Sequence, residues 1–478
     1  MPGYILFPVI LLLIIAFAIY ACISTKKAKA IGKETFLIKT WKKDSVKITA
    51  SSLISILAGL LIGGIVLLIL SGKKIGGTSI STKAGWEGVQ LIFAGVFNTG
   101  RNDAGSLIFG WNGTNIGNVL FKAMPLIMTG LSVAVSFKTG LFNIGAPGQY
   151  LVGTAVSLIL ALTIPTSVVP AFFVWLIAFL GGILAGALWG AIPGIFKAYL
   201  NVNEVITCIM LNWTAANLVT LLFDKTTGPF KFLLDPSGTK NLAYVYKTTH
   251  NGVATAKLGL DKIFAGSQIN MGILIAIGLA VVVYIVLNKT TFGYELKACG
   301  SNKHASKYAG INEKRNIILS MAIAGGLAGA GAALYYLSGN TEFRWETYQT
   351  LPAIGFNGIP VALLASNSPL GVIFSSMFMA YLDVAGMQLK NMTPYNEHLT
   401  SIIVAVIVYF SAFALLIKQF LNGKFDFTKI KNWFRKIFKG IATFFGKFAV
   451  KYHKKKKSLR PRLKRRKRTL LSVKGGRK

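Results

Sequence analysis

Apolar residues in this chain gather into runs of about 18 to 24, the length an α-helix needs to cross ~30 Å of hydrocarbon. The runs fall near 4–22, 51–70, 117–137, 140–163, 168–191, 205–223, 270–288, 316–337, 353–366, 369–389 and 400–418. They predict an all-α fold, a polytopic membrane helix bundle of about 10–11 transmembrane helices that includes broken or half helices. The run 353–366 is short and carries Gly355, Gly358 and Pro360, so it is the candidate half-helix. Residues 84–100 alternate differently: Trp86, Val89, Leu91, Ile92, Val96 and Phe97 stand beside Gln90 and Asn98, an amphipathic pattern expected at the outer membrane interface. Residues 224–268 read as a soluble insert over the outer face.

Charge then orients the runs. No positive residue precedes the first run, and Lys26, Lys27, Lys29, Lys33, Lys39, Lys42, Lys43 and Lys47 follow it. By the positive-inside rule this is a retained helix with its N-terminus outside. An odd number of crossings returns the C-terminus to the cytoplasm, where a tail over 421–478 holds 22 Lys and Arg against one acid, Asp426. The insert 224–268, placed outside, also carries six Lys, but long loops are weak determinants of topology.

Of 478 residues 53% are hydrophobic and 14% charged, against roughly 25% charged in an ordinary soluble domain. The 50 glycines would weaken soluble helices, but in a membrane bundle they permit close backbone approach. The net charge of +37 is concentrated in the terminal blocks and does not describe the body of the chain. Cys22, Cys208 and Cys299 have no metal-ligand spacing and predict no disulfide framework. Within the apolar runs Lys122 and Asp383 are nearly the only ionisable residues, both toward the outer ends, so no proton or sodium relay is visible. There is no phosphate-binding Gly-x-x-x-x-Gly-Lys-Ser/Thr loop and no His, Cys and carboxylate cluster, so no catalytic residue, metal site or cofactor is expected.

Three stretches carry more than composition. Gly140-Leu141-Phe142-Asn143-Ile144-Gly145-Ala146-Pro147-Gly148-Gln149 interrupts the start of a helix. Freed backbone groups in lipid need protein or water partners, so the run faces a cavity or serves close helix packing. The loop 292–312 runs from Phe292 to Asn312 and gathers Ala305, Tyr308, Ala309 and Ile311 on one side, with Lys303, His304 and Lys307 on the other. Such a short amphipathic helix fits a groove on a partner or the lipid headgroups, and a passive connection is the plain alternative. Gly355-Phe356-Asn357-Gly358-Ile359-Pro360-Val361-Ala362-Leu363-Leu364-Ala365, then Pro369-Leu370-Gly371, reads as helix, break and helix.

In this order the three stretches resemble the branched-chain amino acid and ribose type of bacterial ABC permease, most closely its nucleoside-uptake subgroup, over about 110–390. Pro193-Gly194-x-x-Lys197-Ala198, Asn203-Glu204-Val205-Ile206-Thr207 and Met210-Leu211-Asn212-Trp213 add to the likeness. In the family's usual Gly-x-Asn-Pro-x-Ala-Ala, Lys303 here replaces Pro and Ser306 the second Ala. The resemblance implies a bacterial plasma-membrane importer in which a permease pairs with a second, different permease chain. A cytoplasmic ATPase would hydrolyse the ATP, and an extracellular lipoprotein would deliver a nucleoside, with ribose or another simple sugar as the alternative cargo. It further implies that Phe142, Asn143, Gln149, Asn212, Phe356 and Asn357 line the translocation path. Tyr294, Ala298, Gly300, Asn302, Ala305, Tyr308, Gly310 and Ile311 would form the coupling element on the ATPase, with Gly300 and Gly310 as hinges.

The chain is thus expected to divide into an anchor and linker (1–50), a permease domain (51–420, with its coupling loop at 289–314) and a basic tail (421–478). Over 425–449 Phe427, Ile430, Trp433, Phe434, Ile437, Phe438, Ile441, Phe444, Phe445 and Phe448 recur at helical spacing with Lys and Arg between them. That is a basic amphipathic helix for the anionic inner leaflet, where each charge contributes on the order of 1 kcal/mol. A different class of function, a membrane scaffold holding ribosomes or RNA through this tail, is the competing expectation.

Overall fold

The computed structural model describes residues 44–72, 74–75, 78–79, 81–234 and 253–395 and a few positions between 401 and 409. The expected anchor helix 4–22, the centre of the outer insert, most of the run 400–418 and the whole basic tail lie outside the described residues. All described residues belong to one compact unit that ends at Lys418.

The order of elements is α1 (Asp44–Leu70), a two-residue-strand hairpin β1–β2 (Lys74–Ile75, Thr78–Ser79), α2 (Thr82–Ala94), then β3 (Asn98–Arg101) and β4 (Leu107–Phe109). Membrane helices follow: α3 (Gly113–Lys138), α4 (Ala146–Thr163), α5 (Ala171–Leu200) and α6 (Glu204–Leu222). After the four-residue α7 (Leu260–Ile263) come α8 (Gly272–Lys289), α9 (Thr291–Ser301), α10 (Lys303–Tyr308) and α11 (Glu313–Tyr336), then α12 (Ala353–Leu364) and α13 (Pro369–Met392). Among the described residues seven helices are long and apolar enough to cross a membrane: α3, α4, α5, α6, α8, α11 and α13. At about 1.5 Å per residue the 12-residue α12 reaches only ~18 Å, so it is a half-helix and not a crossing.

The bundle is built around α3, α4 and α11. Most of their apolar stretch is buried, 89% in α3, against 28% in α6 and 33% in both α5 and α8, which cover the outside. Helix ends are fixed locally. The Asn112 side chain accepts from the Asn115 N–H (3.0 Å) to start α3, and Asn203 accepts from Val205 (2.9 Å) to start α6. Asn201, in the left-handed conformation (φ 51°), turns α5 into α6, and Lys197 pairs with Glu204 at 2.9 Å across the turn.

Glycine sets the closest approach, between α5 and α11. A methyl group on Gly186 would collide with the Gly325 carbonyl oxygen, and one on Gly325 with that of Gly186. With no Cβ in the way, the two backbones touch, and dispersion between them replaces side-chain interdigitation.

The amphipathic segment 84–100 turns its apolar side onto other helices of the bundle. Its helix α2 turns Val89, Leu91 and Ile92 inward, into a small core with Leu67 of α1 and Leu382 and Leu389 of α13, while Trp86 stays exposed. The reason is polar: Arg101 on β3 donates to both carboxylate oxygens of the buried Glu87 (3.0 and 2.7 Å) and to the Met392 carbonyl (2.6 Å), which ties hairpin, α2 and α13 together.

Gly186→Val should lower stability by about 3 kcal/mol through overpacking. At Gly278 on α8 there is open space, and the same change should be neutral. Unfolding of the purified chain in mixed micelles measures both, and equal losses would show that the α5–α11 contact does not govern packing.

Candidate translocation and coupling sites

Between α3 and α4 the chain turns at Gly140 (φ 70°), crosses the interior through 141–145 and restarts as α4 with Pro147 in its first turn. Such a break frees backbone groups inside the membrane zone, and each needs a partner. Two side-chain amides supply them. Asn143 Oδ1 accepts from the Gly145 N–H (3.1 Å), Asn212 Oδ1 on α6 accepts from the Gly148 N–H (2.9 Å), and Asn212 Nδ2 donates to the Ile144 carbonyl (3.0 Å).

Asn143 and Gln149 then satisfy one another. Asn143 Nδ2 donates to Gln149 Oε1 (2.8 Å) and Ser132 Oγ (3.0 Å), and Gln149 Nε2 donates back to Asn143 Oδ1 (3.1 Å). The three amides are 0%, 1% and 2% exposed in the order Asn143, Gln149 and Asn212. In this conformation they bond to each other and to the backbone. Phe142 is half-buried against Phe137, ring centroids 5.2 Å apart. Cys208 is buried beside the cluster, its Sγ 4.0 Å from Asn143 Oδ1, and is a free thiol, as is Cys299.

Asn357, one of the six expected path residues, lines a space of about 810 Å³ at the end of the bundle where α3 begins. Lys122 of α3 and Asp383 of α13, the two ionisable residues of the apolar runs, line it too. Phe356, one position away, is 38% exposed. Sequence reasoning missed a second polar feature. On the open side of α6, next to Met210 and Trp213 (64% and 57% exposed), the side chains of Thr214 and Asn217 are exposed within an apolar helix. Thr214 bonds back to the Met210 carbonyl (2.9 Å), and the Asn217 amide has no partner among the described residues. An amide inside a hydrophobic run was the available signal, since hydrocarbon offers it no partner.

The opposite end of the bundle carries α9 and α10. Asn302 separates them, and its side chain accepts from the Ala305 N–H (3.1 Å) to cap α10. Ser306 is the residue of α10 turned inward, its Oγ donating to the Lys303 carbonyl (2.8 Å), which leaves Ala305, Tyr308 and Ala309 outward. Tyr308 is 95% exposed and Tyr294 68%, while Ala298 and Ile311 are half-buried. Gly310, with φ 77° and open space around it, has the freedom of a hinge. Gly300 does not. A methyl there would sit 2.7 Å from the Thr139 carbonyl carbon and 2.8 Å from the Gly140 nitrogen, so its glycine lets α9 seat on the turn between α3 and α4. Asn316 of α11 holds α9 as well, donating to Glu295 Oε2 at 3.1 Å.

Residues 115–412 match the family described as the permease component of the branched-chain amino acid transport system. The chain belongs to this permease family. It is 34% identical to the nucleoside ABC transporter permease NupB of Lactococcus lactis, over 77% of this permease and 92% of that protein. It is 30% identical to the guanosine permease NupP of Bacillus subtilis, over 78% and 95%, and 30% identical to the glucose permease TsgB13 of Haloferax volcanii, over 64% and 78%. The permeases NupC of L. lactis and NupQ of B. subtilis are similar as well, at 25% and 26% identity. No solved structure matches. The protein is therefore a multi-pass plasma-membrane permease, a transport subunit whose matched region spans nearly all the described membrane helices.

The amide cluster yields a stability prediction. Asn143→Ala strands the Gly145 N–H and the Gln149 amide at a cost of about 3 kcal/mol. Gln149→Ala costs less, and the double variant should deviate from additivity by about 1 kcal/mol or more. Unfolding of the four proteins in micelles measures the cycle, and strict additivity would dissolve the pair.

Proposed function

We propose that this permease forms half of the translocation path of an ATP-driven importer of nucleosides, paired with a second, different permease chain. The observation that carries the reading is the likeness to NupB across 92% of that protein's length. A sugar is the second reading, favoured by the likeness to TsgB13. The partner permease covers the open side of α6, where the unpartnered amide of Asn217 needs water or protein and not lipid. An uncharged polar solute suits a path with amides and hydroxyls at Asn217, Thr214 and Asn357, because such groups hydrogen-bond ring nitrogens and sugar hydroxyls alike. A lipoprotein delivers the solute at the cavity end.

The end bearing α9 and α10 faces the cytoplasm, as the lysine blocks require. An ATPase grips Tyr308, Ala305 and Ile311 there. An aromatic ring 95% exposed on a six-residue helix buries on the order of 150 to 250 Å² in a groove. Movement of α10 passes through α9 to the Thr139–Gly140 turn by the backbone contact at Gly300, and so to the helix break beyond it. ATP is bound and hydrolysed by the ATPase partner alone.

In the source bacterium, disruption of the gene should abolish uptake of labelled guanosine while ribose uptake continues. Loss of ribose uptake alone would replace the nucleoside reading by the sugar one. If truncation after residue 420 reproduced the full defect, the scaffold reading would stand instead.

Tyr308→Asp and Ala305→Glu place an unpaired charge in the docked groove, at about 3 to 5 kcal/mol. Both variants should reach the membrane, lose the co-purifying ATPase and lose uptake together. Normal co-purification and uptake in both would remove the coupling role from α10.

A further inference from the structure

Beside α9 lies a second recess, of about 310 Å³, lined by Lys138, Lys289 and Lys297 together with Tyr284, Asn288 and Ser368. Lys138 closes α3, Lys289 closes α8, Lys297 stands on α9, and Ser368 is the N-cap of α13. Three ammonium groups from three helices thus converge on one space, and no carboxylate lines it. Among the described residues none of the three forms an ion pair, whereas Lys197 pairs with Glu204 and Arg101 with Glu87. The nearest polar contact is weak, Lys297 Nζ to Asn288 Oδ1 at 3.4 Å. Lys138 and Lys297 are half-buried, so water screens their mutual repulsion incompletely.

Two further features favour an anion. The N-terminus of the 24-residue α13 opens beside the recess and presents the positive end of its dipole. The Tyr284 and Ser368 side chains supply hydroxyls, although Ser368 Oγ already accepts weakly from the Gly371 N–H (3.4 Å). The recess also sits where membrane helices end, at the last residues of α3 and α8 and the first of α13, which is headgroup depth.

We propose that this recess binds a phosphate group, carried by an acidic phospholipid of the leaflet that α9 faces. A bound headgroup would bridge α9 to α3, α8 and α13 and neutralise the lysine cluster. The site would hold the coupling element against the membrane helices in a lipid-dependent way.

Native mass spectrometry of the full chain, released from micelles with dioleoyl phosphatidylglycerol or dioleoyl phosphatidylcholine, tests this. The polybasic tail is common to all proteins compared, so its lipid contacts cancel between the native chain and its variants, and the site is read from that comparison. The chain should retain phosphatidylglycerol over phosphatidylcholine, and Lys138→Gln/Lys297→Gln should weaken the phosphatidylglycerol affinity at least about tenfold, since each charge near the surface contributes on the order of 1 kcal/mol. Lys289→Gln, on an exposed side chain that does not bear on folding, should give a smaller loss in the same direction. Equal affinity in native chain and both variants would overturn the site. So would equal retention of the two lipids, which would mean an apolar annulus only. A parallel arm with inorganic phosphate separates the sources: thermal stabilisation by phosphate, lost in the variants while phosphatidylglycerol has no effect, would overturn the lipid assignment in favour of a soluble anion.

Discussion

A backbone group released from a helix inside hydrocarbon has no solvent to turn to, and in this permease that constraint acts at the break between α3 and α4. The residues that meet it come from far apart in the chain: Ser132 on α3, Asn143 in the break, Gln149 on α4 and Asn212 on α6. Because every one of these amides is buried and paired, the break is a rigid joint and not a loose linker. α6 is held to α4 through Asn212, and α12 rests on the same joint, since Gly355 leaves no room for a side chain beside Pro147. The half-helix, the placement of α6 and the seat of α9 all take their positions from it.

The joint also gives the permease a mechanical layout. At the end that carries α9 the turn at Thr139 and Gly140 receives Gly300, while Thr139 Oγ1 meets Ser320 Oγ of α11 at 2.5 Å. α11 is in turn locked to α5 by the glycine contacts. At Gly300 α9 meets this turn backbone against backbone, with no side chain between them. Packing of this kind transmits strain because it has few alternative arrangements.

Polar groups divide into two kinds by what surrounds them. Those of the joint are fully paired within the chain and serve its architecture. Others, the exposed Asn217 amide and the groups that line the two recesses, Asn357, Lys122 and Asp383 in one and three lysines beside α9 in the other, lie where another chain, a solute or a lipid can reach them.

Much of this was legible along the chain. Run length located the seven helices among the described residues that are long and apolar enough to cross, because the thickness of hydrocarbon fixes how many residues a span needs, and Gly355, Gly358 and Pro360 marked the half-helix. The Gly140–Gln149 interruption and the loop at 292–312 announced themselves by composition and motif. What the sequence left undecided was direction. Asn143, Gln149 and Asn212 are polar residues in apolar helices whether they face a path or each other, and only the mutual geometry of α3, α4 and α6 closes them into a cluster. Gly300 and Gly310 are the same residue type on one loop, yet one is a close-packed contact and the other a free left-handed turn, because glycine suits both needs and only the neighbouring backbone distinguishes them. The lysines at 138, 289 and 297 are distant in sequence and ordinary at helix ends. Their convergence on one recess is a property of the tertiary structure alone.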